Sequence, residues 1–212
     1  MVDKLNSSSS VLDLGANHGH FALAIADRFH SKVCCVEPDP RLFSALASNP
    51  KVSAINAAVA TRSGSSRFYL AQNWECSSLI PPKDRQAVEE IECQAMTLEG
   101  LLATFSIQQL DVLKVDIEGI ELEVLTSLSP VLDRINQLTV EFHESIGMGN
   151  VKQVLETIDY LERFGFGVIR GSFFDYSDVL FLHPERLKLS RNWRWSAIAQ
   201  SLRNGISRRI RQ

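Results

Sequence analysis

The sequence predicts an α/β fold: a mostly parallel sheet with helices on both faces and one antiparallel strand near the carboxy-terminal end. Three observations carry this. Short apolar runs alternate with segments of helical periodicity along most of the 212 residues. The first run passes through a glycine-flanked loop straight into a helix, at Val11-Leu12-Asp13-Leu14-Gly15-Ala16-Asn17-His18-Gly19. Near the end, Phe166 to Ile169 and Val179 to Leu182 have the length and composition of a closing antiparallel pair.

The elements follow in order. Val11 to Gly15 is the first strand, and Phe21, Ala24, Ile25 and Phe29 give the next helix its stripe. Lys32 to Val36 is the second strand. Asp39-Pro40 then supplies an N-cap and a proline at the first helical position, with Leu42, Phe43 and Leu46 inward and Asn49-Pro50 as the stop. Val52 to Val59 reads as a third strand and Arg67 to Leu70 as a short extra one, before a loop through Asn73, Trp74, Ser77 and Ser78. Thr97 caps a helix carrying Leu98, Leu101, Leu102 and Phe105. Asp111 to Ile117 is the fourth strand, followed by a helix burying Ile120, Val124, Leu125 and Leu128. Ile135 to His143 is the fifth strand. Asn150 caps a helix with Val151, Val154, Leu155, Ile158 and Leu161 inward, ended by Gly165.

A composition of 45% hydrophobic and 22% charged residues is that of an ordinary globular domain with a sizeable core. No apolar run approaches the ~20 residues that span a bilayer. Met1 to Ser10 is polar and lacks the apolar centre of a signal peptide, so the expected location is the cytoplasm. Cys34, Cys35, Cys76 and Cys93 show no C-x-x-C spacing and read as free thiols.

Charge divides the chain into a domain at 1–185 and a basic segment at 186–212. Eight of the 22 basic residues and no acid lie from Arg186 onward, leaving 14 basic against 25 acidic groups before it. An acidic body argues against a nucleic-acid surface. In the tail, Trp195, Ile198, Leu202, Ile206 and Ile210 recur at helical spacing among arginines. That pattern suits contact with an anionic membrane surface or a lipid-linked substrate, and equally a solvated tail.

Ligands of open α/β sheets sit beyond the carboxyl ends of the strands. The loop of Gly15, Ala16, Asn17 and Gly19 at a helix N-terminus, with Glu37 closing the second strand, is what a nucleoside crevice needs. Glu37 is placed to accept ribose hydroxyls, and Asn56 to lie near an adenine edge. The loop reads G-x-x-x-G, not G-x-G-x-x-G, and Asp13 is a poor neighbour for a pyrophosphate. It suits a cationic ligand such as S-adenosylmethionine, so methyl transfer is expected before a nicotinamide-dependent oxidoreductase. A non-enzymatic binding module that keeps the fold is the other alternative.

Strand four alternates Lys114, Asp116 and Glu118 against Leu113, Val115 and Ile117, and strand five carries Thr139, Glu141 and His143. Charges in a central strand need partners. Lys114 is expected to pair with Glu141, leaving Asp116 and His143 to face the crevice. Glu118 and Glu121 read as first-turn acids favoured by the helix dipole. His18, His20 and His30 are assigned to packing or solvent. Asp116, Glu141 and His143 are a conceivable Mg²⁺ or Mn²⁺ set, but methyl transfer does not require a metal and none is expected.

Asp13-Leu14-Gly15-Ala16-Asn17-His18-Gly19, Val36-Glu37-Pro38, Asn56-Ala57-Ala58-Val59, Leu113-Lys114-Val115-Asp116-Ile117-Glu118-Gly119 and Glu141-Phe142-His143 resemble, in order and spacing, the FkbM-type methyltransferases. The resemblance runs from about Val11 to His183, and its lysine-x-aspartate-x-glutamate-glycine block is the most specific part. It implies a Rossmann-like, seven-stranded, S-adenosylmethionine-binding fold that methylates oxygen, often a hydroxyl of a sugar or secondary metabolite. The chain departs in having only Met1 to Ser10 before the first strand, where many members carry a helical lead-in. On this reading Asp13, Gly15, Ala16, Asn17, Gly19, Glu37, Asn56 and Asp116 hold the donor. Asp116 is the carboxylate near the sulfonium, and His143 the base for the acceptor hydroxyl.

Overall fold

In a computed structural model that describes residues 5–71, 77–81, 89–143, 151–170 and 178–193, the apolar run Ser10–Leu14 forms β1, with Val11 to Leu14 buried. Helix α1 (His20–Phe29) starts at Gly19, whose left-handed backbone (φ 77°) turns the chain, and buries Ala22, Ile25 and Ala26. The inward stripe is thus rotated from the expected one, and Ala24 is exposed. β2 (Lys32–Val36) follows, then α2 (Pro40–Ala47), capped as predicted by Asp39, whose side chain accepts from the Arg41 N–H at 2.9 Å.

The run read as one third strand is two. β3 (Val52–Ile55) belongs to the main sheet, whereas β4 (Ala58–Val59) belongs to a second one. Asn56 makes the break. Its amide donates to the carbonyls of Glu37 and Pro38, at 2.8 and 3.0 Å, and ties the chain across the end of β2. β5 is longer than expected (Gly64–Leu70), and β6 (Glu89–Met96) was not foreseen. Thr97 caps α3 (Leu98–Thr104) through a bond from the Gly100 N–H.

β7 (Val112–Val115) leads into a short α4 (Glu121–Thr126), a 3-10 turn (Leu132–Arg134) and β8 (Gln137–Glu141). Helix α5 (Val151–Arg163) buries Val154, Thr157, Ile158 and Leu161. Val151 and Leu155, expected inward, are 48% and 45% exposed. β9 (Gly167–Arg170) and β10 (Asp178–Leu182) form the predicted antiparallel pair.

The main sheet has seven strands in the order β3-β2-β1-β7-β8-β10-β9, with parallel pairing from β3 through β8 and β10 antiparallel to both neighbours. It is a Rossmann-like fold. The smaller sheet, β4-β6-β5, stands beside it. Alternation along the strands sends Leu12, Leu14, Leu113 and Val115 into a core with α3, α4 and α5. Val11, Val33, Cys35 and Val112 pack on the other face with α1. Cys34, Cys35 and Cys93 are free thiols, and Cys76 lies outside the described residues.

Arg186, where the basic segment begins, donates to the carbonyls of Leu132 and Ile135 at 2.8 and 2.6 Å and so fastens to the body. The apolar stripe from Trp195 to Ile210 and the Asn150 cap lie outside the described residues. Among the described residues no helix is long and apolar enough to cross a membrane.

One glycine sets how closely β1 and β7 approach. A Cβ on Gly15 would stand 1.7 Å from the Asp116 carbonyl oxygen, and its φ is +73°. Gly15→Ala is therefore expected to cost roughly 3 kcal/mol or more, combining backbone strain with overpacking. Gly100→Ala, in α3 with only ordinary contacts around its position, should leave stability unchanged or slightly raised. Urea melts of the two variants check this, and an unperturbed Gly15→Ala midpoint would refute it.

Candidate active site

The strand order turns at β1, which has β2 on one side and β7 on the other. The loops after these strands diverge there, and a pocket opens at their carboxyl ends. Its walls include Gly15, Asn17, Glu37, Phe68 and Asp116, with Ala57 to Val59 from the β4 region. The second sheet therefore closes the side of the pocket with apolar groups, to which Leu79 adds.

Glu37 is the built-in acceptor on the β2 side. It is 5% exposed, and its two carboxylate oxygens accept from the N–H groups of Asn17 (2.7 Å) and Asp39 (2.8 Å). Burial pushes its pKa up to about 7, against the pull of those two N–H groups. Each oxygen keeps a lone pair for a ligand hydroxyl. Asn17 adopts a left-handed backbone (φ 50°) that aims its N–H at Glu37. The loop and the acid are one unit.

On the β7 side the structure corrects one expectation. Lys114 does not pair with Glu141, which is exposed at the carboxyl end of β8. Its ammonium lies 2.8 Å from Asp116 Oδ2 and 3.4 Å from Asp13 Oδ1. The register explains it, because Lys114 stands directly across from Asp13, on the face opposite Leu12 and Leu113. Asp13 is fully buried, and the Lys114 ammonium is the first charge that opposes its burial. Burial raises its pKa to about 6, with the Lys114 charge opposing. Burial works against the Lys114 charge, but the two aspartates prevail and hold its pKa above the usual lysine value.

Beyond Asp116 the chain bends through Glu118, which adopts a left-handed backbone (φ 55°), and the Ser78 hydroxyl donates to the Glu118 carbonyl. His143, two residues past β8, lies among three carboxylates. Its Nδ1 is 2.8 Å from Glu121 Oε1, and its Nε2 is 3.3 Å from Glu118 Oε2 and 3.8 Å from Asp116 Oδ1. Burial alone would lower its pKa, but the bonds to Glu118 and Glu121 lift it to about 10. The neighbouring carboxylates thus favour the imidazolium form of His143.

Glu121 stands in the first turn of α4, as read, but it does more than answer the helix dipole. It is buried and accepts from the Gly119 N–H at 2.9 Å. Gly15, Asn17, Glu37 and Asp116 thus reach the pocket wall, as does Glu118, which the sequence reading had set aside. Asp13 braces Lys114 from beneath. Ala16 is buried, its N–H donating to the Val36 carbonyl. Gly19 faces Leu46, whose Cδ2 would lie 2.5 Å from a Cβ there. Asn56 holds the backbone behind Glu37.

Comparison with known proteins bears on the family and the fold. The family described as the methyltransferase FkbM domain matches residues 13–168. The chain is 26% identical over 157 residues to a hexuronic acid methyltransferase, AglP, of Haloferax volcanii, covering 73% of this chain and 64% of that protein. It therefore spans less than two thirds of that relative. In three dimensions it is similar to a candidate rRNA methylase from Clostridium thermocellum, with a TM-score of 0.52, 11% identity and coverage of 85% and 90% of the two chains.

Replacing Lys114 by Met leaves Asp13 buried without its counter-charge. Near pH 8 the cost should be about 3–5 kcal/mol. An acid whose folded pKa is raised contributes stability that is present below its ordinary pKa of 3.8 and lost as pH rises through about 6. Without Lys114 that loss deepens, so the variant should be far closer to the parent near pH 5 than near pH 8. Denaturant melts at the two pH values decide, and a gap independent of pH would contradict the pairing.

Proposed function

The chain belongs to the FkbM methyltransferase family, and from that premise we propose that it transfers the methyl group of S-adenosylmethionine to an oxygen of a sugar or related small-molecule acceptor. The observation that carries the reading is Glu37: a buried carboxylate at the end of β2, locked to the β1 loop, beside an apolar slot formed by Ala58, Val59, Phe68 and Leu79. An acid for two ribose hydroxyls next to a slot for a flat base is the donor set a nucleoside requires. The hexuronic acid named for the Haloferax relative supports a sugar acceptor.

The residues fit the donor as follows. Glu37 would take the ribose, the slot the adenine, and Asn17 with the uncapped start of α1 the amino-acid end. Bound there, S-adenosylmethionine supplies a methyl group whose bond to sulfur breaks, the electron pair staying on sulfur, as a bond to the acceptor oxygen forms. Asp116 has one oxygen held by Lys114, and the other faces His143 and the pocket rim. It orients the acceptor hydroxyl and accepts its proton, with Glu118 as the neighbouring acceptor. His143, held as a cation, positions the two carboxylates and keeps their charges from repelling.

Labelled methyl transfer to a panel of hexoses and uronic acids tests the reading, and no transfer to any sugar would count against it. Asp116→Asn should lower kcat by roughly 10²-fold or more while donor binding persists. For the donor arm, Glu37 must be ionised to accept two hydroxyls. Its pKa of about 7 means that calorimetric affinity for S-adenosylhomocysteine should strengthen as pH rises from 5.5 toward 7 and then level off. Glu37→Gln should bind about ten- to a hundredfold more weakly, with that slope gone. Equal, pH-independent binding by both proteins would rule out the ribose role.

A further inference from the structure

We propose that Asp116, Glu118 and His143 form a site for one divalent cation of the Mg²⁺ or Mn²⁺ type at the rim of the pocket. Asp116 and Glu118 follow β7, His143 follows the adjacent β8, and one ligand atom from each lies within 4.8 Å of the others. The measured spacings from His143 Nε2 are 3.3 Å to Glu118 Oε2 and 3.8 Å to Asp116 Oδ1. Ligands about 2.1–2.2 Å from a shared ion, at octahedral to tetrahedral angles, stand roughly 3.0–3.6 Å apart. To share one ion, the two spacings from His143 need to change by only a few tenths of an ångström. Two carboxylates with one imidazole favour Mn²⁺ or Mg²⁺ over the thiolate-seeking metals.

An acidic patch on a surface is not built this way. Here the other polar atom of two of the three ligands is held by a group outside the set. Lys114 holds Asp116 Oδ2 at 2.8 Å, leaving Oδ1 directed at the site. Glu121 takes His143 Nδ1 at 2.8 Å, which fixes the ring and directs Nε2 at the two acids. Glu121 is itself 3% exposed in its side chain and fastened by the Gly119 N–H. A buried carboxylate behind the non-ligating nitrogen is the support that metal-bound histidines have. With no ion bound, a proton on Nε2 answers the two carboxylates, and an arriving ion exchanges with that proton. An ion so placed would also lower the pKa of an acceptor hydroxyl coordinated to it. That consequence rests on the methyl-transfer reading, whereas the binding does not.

The test uses the full chain, stripped with EDTA and without donor, titrated with Mn²⁺ and followed by the loss of the free Mn²⁺ signal in electron paramagnetic resonance. One saturable equivalent, displaced by excess Mg²⁺, is expected. Glu118→Gln, at a partly buried position outside the apolar core, should weaken binding by tenfold or more, and His143→Asn likewise. Glu121→Gln should weaken it by about 10–100-fold through the ring it orients. Glu99→Gln, an exposed acid on α3 outside the set, should bind as the parent does. Absence of saturable Mn²⁺ binding, or parental affinity in a folded Glu118→Gln protein, overturns the site and leaves His143 as a purely structural cation. S-adenosylhomocysteine binding, measured calorimetrically in the same samples, reports separately on the donor pocket.

Discussion

A partly buried lysine between two aspartates sits where the sheet changes direction. Lys114 on β7 faces Asp13 on β1 across the strand pair, and reaches forward to Asp116 at the carboxyl end. One cation thus ties the two central strands together and orients the acid at the mouth of the crevice. Asp13 gives up all contact with water, and its charge depends chiefly on Lys114. Burying such a trio is a weak route to stability. Its return is orientation: the Asp116 carboxylate is fixed by a partner that cannot leave without uncovering a buried charge.

The same logic recurs one strand over. Glu121, buried at the start of α4, holds one nitrogen of His143, so the other nitrogen is presented to Asp116 and Glu118. The donor side is built by different means, with backbone in place of side-chain charge. The left-handed turns at Gly15 and Asn17 bring the β1 loop against Glu37, and Asn56 pins the chain behind it. The pocket therefore has a hydroxyl-accepting wall, an apolar wall from the second sheet, and a charged rim. That division matches a cofactor with a nucleoside body and a reacting centre facing a polar acceptor.

The sequence made the main sheet legible because its strands are unbroken apolar runs between capped helices. Asp39-Pro40 and Thr97 act as read, and the closing antiparallel pair is in place. The second sheet was harder. β6 alternates Ile91, Cys93 and Ala95 with acids and a glutamine, a period-two signal diluted by its charge, and β4 is only two residues long. Glu37, Asn17 and Asp116 were legible because loop spacing and strand alternation place them at strand ends. The partner of Lys114 was not, since alternation gives the face and only the register gives the neighbour. Glu121 is the first-turn acid the sequence indicates, but its contact with His143 was not legible for a related reason. A helix start attracts acids for its dipole, and sequence cannot tell that the next strand delivers a histidine onto this one. Val151 and Leu155 carry helical periodicity yet lie outside the buried stripe, which belongs to Val154, Ile158 and Leu161.

On the proposed function, one crevice, between the Glu37 wall and the Asp116 rim, receives the methyl donor. A crystal structure of the protein soaked with S-adenosylhomocysteine tests it most directly. The account predicts ribose hydroxyls on the Glu37 carboxylate, the base between Val59 and Phe68, and the sulfur on the side of Asp116. A nucleoside bound elsewhere, or one that leaves Glu37 untouched, would contradict it.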